Sequence, residues 1–174
     1  MFRKVFSLFI FIMFMNPNSY AADLSKIGIV DFKEFMSSSV AGKAIQEKIK
    51  QNGEELKSEL DKAQIRIKEF QKRYKKEAPL FNKEQKEEKQ KQFQIRLADF
   101  RRLKEIKEKE FNEFRAKLIN ELKEDIIDYA KKMAKEEGYL LIIEKQSGTI
   151  LYVHRSINIT DELIQDHNKF GSKK

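Results

Sequence analysis

Cysteine is absent from this chain of 174 residues, and with it go disulfides, thiolate metal sites and the thiol that would carry a lipid anchor. Packing alone must hold the fold together. Histidine is scarce: His154 and His167 stand thirteen residues apart in unrelated segments, outside any His-Glu-x-x-His spacing, and read as solvent-facing or locally bonded side chains. No glycine-rich phosphate loop and no Gly-x-Ser-x-Gly turn occurs. The acid pairs Glu87-Glu88 and Glu136-Glu137 lie beside lysines on helical stretches, where solvated i,i+4 pairing accounts for them. These gaps point away from catalysis and imply neither a cofactor nor a metal.

Long apolar runs are equally scarce. The one run, Val5 to Met15, follows Arg3-Lys4 and breaks at Asn16-Pro17-Asn18. It is shorter than the roughly 20 residues a membrane-spanning helix needs, but it matches the apolar centre of a secretory signal peptide. Small residues place cleavage after Ala21, with Ala22 as the alternative, so residues 1–21 are expected to be a leader. Removing Arg3 and Lys4 lowers the formal net charge from +8 to +6, which implies a soluble, exported, basic protein.

That charge is unevenly spread. Residues 61–110 hold 17 Lys and Arg against 10 Asp and Glu, a net +7, whereas 22–60 sum to −1 and 111–174 to zero. Clustered basic charge attracts acidic partners, and for an exported protein these are acidic chain segments or an anionic lipid surface before nucleic acid.

Lys26 to Phe32 reads as a first strand. Ser37-Ser38-Ser39 then offers N-cap hydroxyls to a helix with an apolar stripe at Ile45, Ile49, Leu56, Leu60, Ala63, Ile67, Phe70 and Tyr74. Steps of three and four make this a narrow coiled-coil seam. Gln51-Asn52-Gly53 interrupts it as either a hinge or a harmless defect. Pro79 ends the helix, and Asn82 with Gln85 has the spacing of a capping box, so the chain should reverse near 77–83. A second helix runs through Phe93, Leu97, Phe100, Leu103, Ile106, Phe111, Phe114, Leu118, Leu122, Ile126, Tyr129 and Met133 and closes at Gly138. Helices of roughly 40 and 55 residues would extend about 60 and 80 Å. Tyr139–Ile143 and Thr149–Val153 flank Gln146-Ser147-Gly148 as an expected hairpin, and Thr160-Asp161-Glu162 caps a last short helix.

Three short strands and a terminal helix bury too little surface to stand alone, so copies of the chain are expected to share a β-core. Its candidate residues are Ile27, Ile29, Val30, Leu141, Ile143, Leu151 and Val153. On the arm, Phe70, Tyr74, Leu80, Phe81, Phe93 and Phe100 are candidate apolar contacts for an unfolded client, most exposed near Leu80 and Phe81. Arg66, Lys72, Arg73, Lys75, Lys76, Arg96, Arg101, Arg102 and Lys104 are candidates for electrostatic contact with acidic client segments or a membrane surface.

Lys26-Ile27-Gly28-Ile29-Val30-Asp31-Phe32 followed by Ser39-Val40-Ala41-Gly42-Lys43 resembles the opening of the Skp/OmpH family of periplasmic chaperones. Glu137-Gly138-Tyr139-Leu140-Leu141-Ile142-Ile143, Ile150-Leu151-Tyr152 and Asn158-Ile159-Thr160-Asp161-Glu162-Leu163-Ile164 resemble its close, with Asn158 where the family usually has aspartate. The resemblance implies an α+β, mostly α fold: a long antiparallel helical hairpin projecting from a small shared β-core, assembled as a jellyfish-like homotrimer. Residues 22–38 and 138–170 would form the association core, 39–137 the arm, and 171–174 a frayed end. It further implies an ATP-independent periplasmic holdase for unfolded outer-membrane proteins, with no nucleic-acid partner. A tethering coiled-coil protein of the cell envelope is the rival reading.

Overall fold

The computed structural model describes residues 26–148 and 150–171; the expected leader at 1–21, Thr149 and residues 172–174 lie outside them. Strand β1 (Lys26–Val30) leads into a short helix α1 (Phe32–Ser38), followed by the long helices α2 (Val40–Glu77) and α3 (Lys83–Glu137). Strand β2 (Tyr139–Glu144) and helix α4 (Thr160–Asp166) complete the named elements, with a π turn at His167–Gly171 after α4.

The arm forms where the sequence places it. A 3₁₀ turn at Ala78–Leu80 carries Pro79 in its first positions. Asn82 then caps α3 reciprocally with Gln85: each side chain accepts the other's backbone N–H, at 2.9 and 3.0 Å. Gly138 ends α3 at φ 77°, a conformation that costs other residues steric strain, and its N–H donates to the Ala134 carbonyl at 3.0 Å. Helix α2 runs unbroken through Gly53, whose missing side chain leaves the Phe111 ring 3.4 Å from where a Cβ would stand.

Below the arm lies a base that sequence reading only partly drew. Residues 32–38 form their own helix, capped by Asp31, whose Oδ1 accepts the Glu34 N–H at 3.1 Å. Ser39 then caps α2 by accepting the Gly42 N–H at 2.9 Å. The two helices meet so closely that a Cβ on Gly42 would collide with the Met36 carbonyl. Val30, Phe35, Ile159, Leu163 and Ile164 form a core with Leu122, Ile126 and Met133 from the last turns of α3.

The expected hairpin is corrected. β2 pairs in parallel with β1, setting Ile27 beside Leu141, Ile29 beside Ile143 and Val30 beside Glu144. Parallel strands need a long crossover, and here the entire arm is that crossover. The other side of β1 is taken by Asn158, and the Ile159 N–H donates to the Ile29 carbonyl at 2.9 Å. After β2 the Ser147 hydroxyl and N–H both donate to the Glu144 carbonyl, at 2.7 and 3.1 Å, which turns the chain away. Residues 150–153 carry no strand.

Two smaller expectations also change. Thr160 is buried as the first residue of α4, and its capping oxygen comes from Asn158, whose Oδ1 accepts both the Thr160 N–H at 3.0 Å and the Thr160 hydroxyl at 2.6 Å. A carboxamide oxygen can accept both bonds, so asparagine is accommodated here. His154 bonds locally to Ser156, but His167 is buried, edge-on to Phe35 and Tyr129, and hydrogen-bonds to Asp125 on α3 at 2.7 Å. It fastens the end of the chain to the foot of the arm.

Candidate functional site

The arm is built around its seam. Every α2 position of the expected stripe is buried or half-buried, from Ile45 to Tyr74. On α3 the stripe drifts by one residue: Ile106 is exposed, and Lys107 lies in the seam instead, 3.5 Å from Glu59 across the helices and 3.2 Å from Glu110 on its own. The Glu110 hydrogen bond, then its charge and that of Glu59, raise the Lys107 pKa above its ordinary value. A 3.6-residue helix drifts against a strict 3.5 repeat over this length, so a one-residue slip is expected somewhere.

Toward the tip the seam becomes aromatic. Phe70 is 9% exposed and stacks on Phe93 with ring centroids 6.3 Å apart. The Arg96 guanidinium lies 4.7 Å from the Phe70 ring. Tyr74 meets Phe81 at 6.3 Å, while Leu80, on the turn itself, is 83% exposed. The candidate client contacts therefore divide: Phe70, Tyr74, Phe81, Phe93 and Phe100 are buried or half-buried, and Leu80 alone stands out in solvent.

Two grooves open beside this aromatic seam, of about 580 and 260 Å³, and Phe70, Tyr74 and Lys89 line both. All nine basic candidates, Arg66, Lys72, Arg73, Lys75, Lys76, Arg96, Arg101, Arg102 and Lys104, are exposed on the upper arm. Sequence reading missed the exposed apolar residues Ile65 and Ile95 on the arm, and set the exposed Ile106 in the seam. For Ile65 and Ile95 the signal was available, since both fall between the seam positions.

At the base, Ile29 and Val30 are buried within the chain, Ile143 and Val153 are half-buried, and Ile27 and Leu141 lie exposed beside each other across the ladder. Leu140 and Tyr152 are exposed too, and Leu151 is 93% exposed. An apolar recess of about 350 Å³ opens nearby between Val30, Phe32, Ile126, Ile127 and Ile142. Where the strands meet the arm, burial and then the Glu162 charge raise the Glu137 pKa, although Lys26 lies 3.9 Å away.

Among the described residues no group of His, Asp and Glu could hold a metal ion, and no helix is long and apolar enough to cross a membrane. What this scaffold offers chemically is surface: half-open aromatic grooves and basic charge on a long arm, and an uncovered apolar patch at the base.

Comparison with known proteins agrees with this architecture. A search of curated proteins by sequence finds no match. Among solved structures, that of a candidate outer membrane chaperone (OmpH-like) from Caulobacter crescentus superposes with a TM-score of 0.75 at 14% identity, covering 84% of this chain and 85% of that one. At that identity the likeness speaks for the fold. The sequence profile of the family described as outer membrane protein (OmpH-like) matches residues 26–166, from the first described residue of β1 to the end of α4. With strands, arm and terminal helix all inside that match, the chain belongs to the OmpH-like family.

Proposed function

We propose that the protein is an ATP-independent holdase of the periplasm, which binds unfolded outer-membrane proteins and keeps them from aggregating on their way to the outer membrane. The carrying observation is the arm of this OmpH-like chain, a long helical hairpin with half-open aromatic grooves and exposed cations. Such a surface makes many weak contacts, apolar and charged, with an extended chain and lets them rearrange. Family membership and the structural likeness to a candidate chaperone support the same reading.

Residues 22–38 and 138–170 serve as the association core and 39–137 as the arm. Ile27 and Leu141, exposed side by side in the single chain, and Leu151, exposed as well, support self-association, since uncovered apolar surface of this kind marks an interface. A homotrimer would gather three arms around a cavity that receives the client. The basic upper arm also suits an anionic lipid surface as a secondary contact.

The test is light scattering of a urea-diluted outer-membrane β-barrel protein, with and without the purified chain and without nucleotide, with the mass of the chaperone measured in parallel. Suppression near one trimer per client is the expected result. An intact oligomer that fails to suppress scattering would move the assignment to a tethering coiled coil with a fixed partner.

A further inference from the structure

We infer that the upper arm carries paired grooves selective for aromatic side chains flanked by acidic residues in an extended client. This rests on the holdase reading and names the kind of segment the arm grips.

Near the tip the Phe70 and Phe93 rings stack across the helix seam, and two grooves open beside them. The larger, about 580 Å³, has Phe70, Tyr74 and Phe93 in its wall, with Lys75, Lys89 and Lys91 against a single carboxylate, Glu87. Its size falls within the roughly 300–1,000 Å³ usual for ligand sites. The smaller, about 260 Å³, shares Phe70 and Tyr74, adds Phe81, and sets Arg73, Lys89 and Arg96 against Glu77.

Nearer the base, grooves in the same arm reverse this sign. One of about 560 Å³ has Glu54, Glu55 and Glu59 against Lys62. Another, of about 270 Å³, keeps an aromatic wall of Phe111 and Phe114 but sets Glu55, Glu59 and Glu110 against Lys107. Whole segments follow suit: residues 61–104 hold 15 Lys and Arg against 7 Asp and Glu, whereas 40–60 and 105–137 together hold 12 against 14. Aromatic walls recur along the arm, while the charge around them changes sign.

Aromatic walls favour aromatic guests through ring stacking and area burial, and a cationic rim favours carboxylates beside them. An anionic lipid headgroup would use the cations but not the aromatic walls, so the occupant argued for is an unfolded chain.

The experiment uses fluorescence anisotropy of short labelled unstructured peptides, phenylalanine–aspartate, phenylalanine–lysine and leucine–aspartate in composition, titrated with the purified chain. The phenylalanine–aspartate peptide should bind about threefold to tenfold tighter than either other, the scale of a few exposed charge and ring contacts. Lys89→Glu, which reverses a cation common to both upper grooves, should abolish the preference; Glu55→Lys, common to both lower grooves, should leave it intact. Circular dichroism checks the fold, and Lys75→Glu replaces Lys89→Glu should that variant unfold. Equal binding of all three peptides with aggregation suppression retained would overturn this inference and spare the holdase reading. Failure to suppress aggregation with the peptide preference intact would do the reverse. Anionic vesicles that bind more tightly than any peptide, in a manner lost in Lys89→Glu, would assign the grooves' cations to lipid and overturn it.

Discussion

In the base, Phe35 and Leu163 are wholly buried, and Asp31, Asn158 and Thr160 are joined by hydrogen bonds between β1 and α4. In the arm above the last turns of α3, which join this core through Leu122, Ile126 and Met133, the deepest side chains are Ala63 and Phe70, and most of the seam is half-buried. The base thus resembles an ordinary small core, sensitive to each missing methylene, while the arm is a zipper of partial contacts with solvent along both flanks. Regions with few fully buried contacts open locally at low free-energy cost, which suits the client contact proposed above. Deep packing and half-open surface are housed apart.

Substitutions in matched pairs would break this contrast or sharpen it. Phe35→Ala should cost about 3–5 kcal/mol of unfolding free energy, and Phe93→Ala less than half of that because its ring is only half-buried; equal losses in denaturant titrations would erase the distinction. Gly42→Ala and Gly53→Ala should differ in sign. The first forces α1 and α2 apart at a cost of roughly 1–3 kcal/mol, and the second gains up to about 1 kcal/mol of helix propensity, its Cβ meeting only an ordinary contact with Phe111.

Asp31 gives the base an acid sensitivity. Burial pushes its carboxyl upward, but the Lys145 ammonium at 3.0 Å and the N–H groups of Glu34 and Lys33 outweigh it and hold its pKa below the ordinary 3.8. A lowered folded-state value means the stabilisation is complete above that ordinary value and lost as pH falls through the folded one. Asp31→Asn should flatten the decline in melting temperature below about pH 4, and Asp31→Ala should cost a further ~1 kcal/mol at neutral pH by removing the cap. In the arm, Glu59→Gln should lower the melting temperature only slightly through its contact with Lys107, and less in high salt. Leu80→Ser should leave the melting temperature nearly unchanged, within about 0.5 kcal/mol, since its side chain touches little. A larger loss would mean that the tip is packed against something in the assembled protein.

The arm was legible because its signals are local. Pro79, the Asn82–Gln85 box and Gly138 mark three of its four ends, and the stripe from Ile45 to Tyr74 names its seam. The base was less so, because its decisive contacts join residues far apart in sequence. Two apolar runs around Gly148 look like a hairpin until β1 is brought back alongside β2 by the fold. Helix α1 was hidden by the serines after it, although Asp31 and Glu34 have the spacing of a helix start. His167 gave no sign of Asp125. The excess of positive charge in 61–110 was plain, but its separation into basic upper grooves and acidic lower ones depends on which stretch of α3 folds back onto which stretch of α2.

Because β1 and β2 join edge to edge on either side of the arm, the base constrains only where the arm leaves and where it returns. Length between those points is free, provided both helices change together. Deleting about seven residues, two turns, from each would draw the tip in by about 10 Å without touching a base contact, whereas the same deletion from one helix would slide every aromatic pair out of register. Reach is therefore an evolvable dimension of this molecule: the arm is a telescoping gauge, set by paired insertions and losses.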